Sequence, residues 1–193
     1  VFTAFHEAQK HGTSKAILIE SFLTGYDHRM LVVNNELVAV AKRVPGHVVG
    51  DGERSIEELI DIVNLDPRRG IGHEKVLTRL ELDSQAERLM EEASYNKKTI
   101  LDKDQIFFLR STANLSTGGT AIDVTDMVHP DNRDMAVRSI KAIGLDVGGV
   151  DFLTEDISKS YKEIGGGICE CNAAPGFRMH VAPSEGTPRD VAG

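Results

Sequence analysis

The sequence predicts an α+β domain whose sheet is mainly antiparallel, and three observations carry that expectation. Apolar, β-branched runs over residues 29–33 and 37–41 flank Asn34-Asn35, a two-residue hairpin signal, so this part of the chain is antiparallel. Helical periodicity is confined to separated segments, the clearest opening at Pro130 and running to about residue 143. Two late strand-like runs, 147–153 and 167–172, follow one another through an acidic, serine-containing connection and read as a hairpin-like pair.

The remaining elements follow in order. Residues 2–11 have helical spacing, and Ala16-Ile17-Leu18-Ile19-Glu20 reads as a buried strand ending in a carboxylate. Thr24-Gly25 turns the chain into the first hairpin, and Val44-Pro45-Gly46-His47 breaks the pattern after it. Ser55 with Glu57-Glu58 starts a helix whose apolar stripe is Ile56, Leu59, Ile60 and Val63. Asp66-Pro67-Arg68-Arg69-Gly70 is a polar loop, a second helix is expected over 84–93, and a strand over 106–110. Residues 111–119 form a polar, glycine-bearing loop, and the Gly-, Pro- and Ser-rich stretch after Pro175 reads as loop. The chain opens on Val rather than Met and is expected to be a piece of a longer one.

Composition narrows the function classes. Apolar residues at 40% suffice for a packed core, and a net charge of −8 argues against general nucleic-acid binding, which requires a basic face. No apolar run approaches the roughly 20 residues that span a bilayer, and residues 1–8 carry no signal-peptide pattern. Cys169 and Cys171, one residue apart on an expected strand, have no second Cys/His pair nearby and read as wall residues in a reducing, cytoplasmic setting.

The late strand pair holds the most informative chemistry. Alternation puts Glu170 and Asn172 on one face of their strand, and Asp151 stands on the strand before. If the strands pair, two carboxylates and an amide oxygen converge, which is the hard-oxygen set magnesium takes while leaving positions for water and phosphate. Spacing alone supports a solvated polar face equally well. Read singly, Glu20 is a surface charge, Asp27 and Arg29 a surface ion pair, and His47 a loop histidine. Lys42, Arg43, Arg110 and Arg178 sit beside strand ends or glycine loops, positions that suit contacts to phosphate or carboxylate. Asn114-Leu115-Ser116-Thr117-Gly118-Gly119 offers small side chains and backbone N–H groups to an anion, although it matches neither a Walker loop nor a dinucleotide fingerprint.

Taken together, these segments resemble the ATP-grasp ligases. The resemblance is carried by Gly25-Tyr26-Asp27-His28-Arg29, Arg43-Val44-Pro45-Gly46-His47-Val48-Val49-Gly50-Asp51-Gly52, Asp66-Pro67-Arg68-Arg69-Gly70, Asn114-Leu115-Ser116-Thr117-Gly118-Gly119, Gly149-Val150-Asp151 and Glu170-Cys171-Asn172-Ala173-Ala174-Pro175-Gly176. It covers nearly the whole chain. Glu-x-Asn with an upstream Asp is shared widely in that family, whereas the Pro-Gly-His-Val and Asp-Pro-Arg-Arg-Gly runs narrow the likeness to ligases that lengthen a poly-aspartate backbone.

The resemblance implies an ATP-grasp fold in which residues 1–20 end the lid subdomain and hinge strand, and 21–193 form the C-terminal nucleotide- and metal-binding subdomain. It implies ATP and Mg2+ as cofactors, with Asp151, Glu170 and Asn172 holding the metal, Glu20 facing adenine and Asp27 contacting ribose. Arg29 and Lys42 would face phosphates or the reacting carboxylate. Arg110, Asn114, Ser116, Gly118 and Gly119 would hold substrate or an acyl-phosphate oxygen, with Arg178 on the substrate side and His47 serving catalysis there. The implied partners are aspartate and a poly-aspartate primer, with arginine handled by a separate Mur-ligase-like domain and a homo-oligomer of the full-length enzyme left open. Related ligases often carry an Arg two residues before the metal Asp; here that position is Gly149, so Arg110 or Arg178 is expected to serve instead. Without the lid's lysines and glycine loop, the isolated chain is expected to be inactive and to bind ATP weakly. A glutathione-type or other peptide ligase of the same fold, and a non-catalytic ATP-binding module, remain as alternatives.

Overall fold

β1 (Tyr26–Val33) and β2 (Glu36–Val44) form the expected hairpin in the computed structural model, which describes residues 21–72 and 74–191 together with Phe5, Gln9 and Ile17. Asn34 and Asn35 both take positive φ, 48° and 65°, the turn geometry whose twist matches the flanking strands. Both strands run longer than the apolar runs, because polar residues at their far ends continue the ladder. The strand expected over 16–20, the helix over 2–11 and the domain boundary at residue 20 lie outside the described residues, apart from Phe5, Gln9 and Ile17.

The main sheet has five strands in the order β7-β2-β1-β8-β9, all antiparallel, with β7 at Thr120–Asp123, β8 at Val147–Thr154 and β9 at Gly167–Asn172. One face carries Met30, Val32, Val40, Val150 and Phe152, and the helix Pro130–Ala142 lays Met135, Ala136 and Ile140 on it. Each such side chain, fully buried, contributes about 1.5–3 kcal/mol. Cys171 packs at the edge of this core, as a wall residue would.

Between β2 and β7 the chain builds a second lobe with its own core. There β3 (His47–Val49) pairs antiparallel with β6 (Ile106–Phe108). The helices α1 (Ile56–Val63) and α2 (Ser84–Glu92) bring Ile56, Leu59, Ile60, Ala86 and Met90 against Val48, Leu101 and Leu109. α1 starts as its sequence signals: Ser55 accepts from the Glu58 N–H at 3.4 Å while the Glu58 carboxylate accepts from the Ser55 N–H at 2.8 Å. A two-residue parallel pair, β4 (Arg69–Gly70) with β5 (Leu77–Thr78), closes the lobe. The helix on the main core is numbered α3; α4 (Tyr161–Ile164) and α5 (Arg178–Val181) follow it.

The segment after Pro175 is more than the expected loop. α5 lies over β2 and β7, where Ala39 and Ala41 leave it room. Glu185 bridges to Ile122, and Arg189 forks onto Asp123 (2.6 Å) and Asp126 (2.7 Å). These long-range contacts order a stretch whose composition alone reads as irregular.

Candidate functional site

Strand register assembles the polar face opposite α3. Arg29 on β1 stands directly across from Asp151 on β8, and Asp151 directly across from Glu170 on β9. Directly opposed residues share a face, so the three form one row, and Asn172, opposite Gly149, lies on the same face. A bulge between Asp151 and Phe152 shifts the register beyond this row without disturbing it.

Asp151 is buried and its carboxylate is fully engaged. Oδ1 accepts from Arg29 Nε, while Oδ2 accepts from Arg29 Nη2 at 3.2 Å and from Arg43 Nη2 at 2.9 Å. The same Arg43 nitrogen donates to both oxygens of Asp27 at 2.7 Å. Burial pulls the Arg43 guanidinium down, but its hydrogen bonds and charge interactions with Asp27 and Asp151 outweigh that and raise it. Two carboxylates and two guanidiniums thus alternate along one line beside Glu170, which is exposed.

Sequence position marked both Lys42 and Arg43 as candidates for anion contacts, and the family resemblance chose Lys42; a one-residue irregularity explains why Arg43 stands beside Asp151 instead. A regular hairpin around Asn34-Asn35 would set Asp27 opposite Lys42. The register shifts by one between Leu31 and Val32, so Asp27 meets Arg43 and Arg29 meets Ala41. Lys42 is turned to the other side of β2, its ammonium 3.3 Å from the centre of the Tyr26 ring.

The arginine beside Asp151 is likewise neither of those expected. A Cβ at position 149 would stand 3.0 Å from Arg29 Cδ and 2.8 Å from Pro175 Cβ, so the space left by Gly149 is where the Arg29 side chain runs. Arg110 is buried in the second lobe, where it donates to Leu109 O at 2.8 Å and Glu81 O at 3.3 Å and pairs with Asp83, the N-cap of α2, at 3.1 Å. Arg178 is exposed and donates to Lys75 O at 3.4 Å.

The glycine loop also departs from expectation. Thr117 and Gly119 donate their N–H groups to Asn114 O, and Gly118 donates to Leu115 O, so these donors are spent inside the loop. Gly118 has φ +93°, and a Cβ there would come within 2.6 Å of Leu80; one at Gly119 would come within 2.7 Å of Asn114 O. The two glycines are buried and serve close packing. Arg69 supports them from behind, its Nη1 donating to Thr78 O at 2.5 Å and Gly118 O at 3.2 Å. Asn114 and Ser116 are exposed, and Glu20 lies outside the described residues.

A cleft of about 870 Å³ opens between the sheet end and the second lobe, lined by Tyr26, Asp27, Lys42, Arg43, Phe108 and Asn114 among others. That volume suits a cofactor-sized ligand. His47 stands at its margin: Nδ1 lies 2.9 Å from Pro45 O, a carbonyl that can only accept, so Nδ1 carries the proton and Nε2 is left as an acceptor. Its ring is 5.7 Å from that of Phe108.

Buried polar atoms without a partner gather here. Among the described residues, Arg43 Nε, Asn172 Nδ2 and both ring nitrogens of His180 are buried and unpaired. His180 sits on α5, near enough to Arg29 and Asp123 to feel their charges. No group of three His, Cys, Asp or Glu side chains capable of holding a metal occurs among the described residues. Asp151, Glu170 and Asn172 nevertheless fit magnesium, because two carboxylates and one amide suffice when phosphate and water complete the shell. Turning the unpaired Asn172 amide presents its oxygen instead of its nitrogen.

Fold and site together define the class: the chain has the architecture of the ATP-grasp ligases. It superposes on a bifunctional glutathione synthetase from Pasteurella multocida with a TM-score of 0.75 and 35% identity, covering 88% of this chain and 23% of that one. In sequence it is similar to cyanophycin synthetase. Identity with that protein of Trichormus variabilis is 54% over 190 residues, 98% of this chain and 21% of the relative. The glutathione biosynthesis bifunctional protein of Clostridium perfringens is 37% identical over 174 residues, 90% of this chain and 22% of the relative. The chain therefore spans about a fifth of the length of the curated relatives it matches. No protein-family model matches it.

Proposed function

We propose that this chain is the nucleotide- and metal-binding subdomain of a cyanophycin synthetase-type ligase, which joins a carboxylate to an amine at the expense of ATP. The observation that carries this reading is the register-paired Asp151 and Glu170, with Asn172 on the same face and two arginines beside them. Residues 1–20 belong to the lid and hinge in this reading, with Glu20 facing adenine, and Asp27 at the cleft receives the ribose.

The reaction begins with transfer of the γ-phosphoryl group of ATP to the C-terminal carboxylate of a cyanophycin primer. The amine of aspartate attacks the acyl phosphate, the new amide forms, and phosphate leaves. Magnesium, when bound, neutralises charge on the transferring phosphoryl group. Arg29 and Arg43 supply positive charge beside that group, and positioning supplies much of the remaining acceleration. His47 Nε2 takes the proton that the attacking ammonium must lose. Lys42, above Tyr26 in the same cleft, and the exposed Asn114 and Ser116 recognise primer or aspartate, with Arg178 further out. Arginine enters through another domain of the longer enzyme. In this reading the reaction takes place in the cytoplasm, without nucleic acid or membrane.

The likeness to glutathione biosynthesis proteins favours a second reading, a glutathione-type ligase, at the lower identity of 37% against 54%. In a ligase carrying this segment, phosphate release from ATP should depend on aspartate and primer and vanish in Glu170→Gln and Asn172→Ala. Release that responds instead to a glutathione precursor selects the second reading, and normal turnover in both variants refutes the metal site.

A further inference from the structure

Asp151 is the proposed metal ligand, yet both its oxygens already accept from guanidiniums. A divalent cation arriving alone meets two fixed positive charges at hydrogen-bond distance from its ligand. Arg29 donates only to Asp151 among the hydrogen bonds of the described residues, so on leaving it would have no second carboxylate to pair with. Arg43 differs: it bonds both oxygens of Asp27, so it can leave Asp151 and keep a carboxylate partner. Its Nε is buried without an acceptor, and its side chain is 10% exposed. An unfilled guanidinium donor at a cleft wall suits an anionic oxygen.

We propose that Arg43 is a lock on the metal site, an inference that rests on the magnesium reading above. Without nucleotide it shares Nη2 between Asp27 and Asp151 and keeps free divalent cations away. The polyphosphate of a nucleotide draws the guanidinium to itself through the unfilled Nε–H, and Asp151 Oδ2, left with only the longer bond from Arg29, is opened to the metal that the nucleotide carries. Metal and nucleotide therefore bind together, and free metal binds weakly.

Paramagnetic broadening by Mn2+ of the backbone amide signals of Glu170 and Asn172 tests this on the 193-residue chain. Without nucleotide, Arg43→Met should reach half-broadening at least about ten-fold lower in Mn2+ than the unaltered chain, the order expected for removing one charge a few ångströms from a divalent cation even when screened as in bulk water. Arg43→Lys, which keeps the charge, should stay within about two-fold of the unaltered chain. With Mn2+ and ATP together, the unaltered chain should broaden as readily as Arg43→Met does with Mn2+ alone. An unchanged or weakened response in Arg43→Met, with its remaining amide spectrum native, overturns the lock. Absence of broadening by Mn2+ with ATP raised to saturation of the unaltered chain, or no loss of it in Glu170→Gln, overturns the metal site and the lock with it.

Discussion

Acidification from about pH 7 to about pH 4.5 should destabilise the chain well before its most depressed carboxylates titrate, and two buried histidines set the size of the loss. His28 and His180 are each only 2% exposed, and burial is the main force holding both near a pKa of about 4. The charge of Arg29 adds to it at His180, as do those of Lys42 and Arg43 at His28, where backbone carbonyls partly oppose it. Unfolded, each titrates near its ordinary value of about 6.5. Between those values the unfolded chain takes up protons that the folded chain refuses, so stability falls as pH falls. At about pH 4.5 each histidine costs on the order of 2–3 kcal/mol, and the pair about 5 kcal/mol. That is comparable with the whole stability of a small domain, about 5–15 kcal/mol. With no tryptophan in the chain, far-ultraviolet circular dichroism in urea is the suitable probe. The double variant His28→Gln/His180→Gln should lose most of the dependence between about pH 6.5 and 4.5. A free energy of unfolding that is flat across this window in the unaltered chain refutes the reasoning, as does an equally steep fall in the double variant. Asp51 and Asp66, held near 2 by hydrogen bonds from Glu53, Arg54 and Arg68, contribute only at lower pH.

Other perturbations test separate parts of the structure. Gly149→Ala puts a methyl group 3.0 Å from Arg29 Cδ and 2.8 Å from Pro175 Cβ, and should weaken Mn2+–ATP binding about ten-fold and cost about 1–3 kcal/mol in urea unfolding through overpacking. Arg69→Met removes a buried cation bound to Thr78 O and Gly118 O and should cost about 2–4 kcal/mol in urea unfolding; a loss below about 0.5 kcal/mol would deny it a supporting role. Arg189→Ala should release the segment after Pro175. Hydrogen exchange at the Asp123 amide, now 3.0 Å from Glu185 O, should accelerate about ten-fold or more, whereas unchanged exchange would show that α5 alone holds the segment.

Local signals sufficed for much of the fold. Asn34-Asn35 specified a tight turn because both residues tolerate left-handed backbone, and Ser55 with Glu58 and Pro130 marked helix starts that the structure reproduces. Among the segments that were missed, β3, β7 and α5 are short and form only because a partner from elsewhere completes them: β6, β2 and the pairing of Arg189 with Asp123 and Asp126. Asp-Pro-Arg-Arg-Gly was conspicuous as a motif, but nothing local says that Arg69 supports Gly118 or that Arg68 reaches Ser184 O at 3.2 Å.

The shared face of Glu170 and Asn172 was determined by the sequence itself, since strand alternation places them together; Asp151 joined it only through the register of β8 against β9. Which cations stand beside that face was decided only in three dimensions. The side-chain period of a strand is two, so the single register shift at Leu31 and Val32 exchanged Lys42 for Arg43, and the missing side chain at Gly149 admitted Arg29 from the neighbouring strand. Residue identities told which groups were available; pairing register and packing space selected the ones that meet.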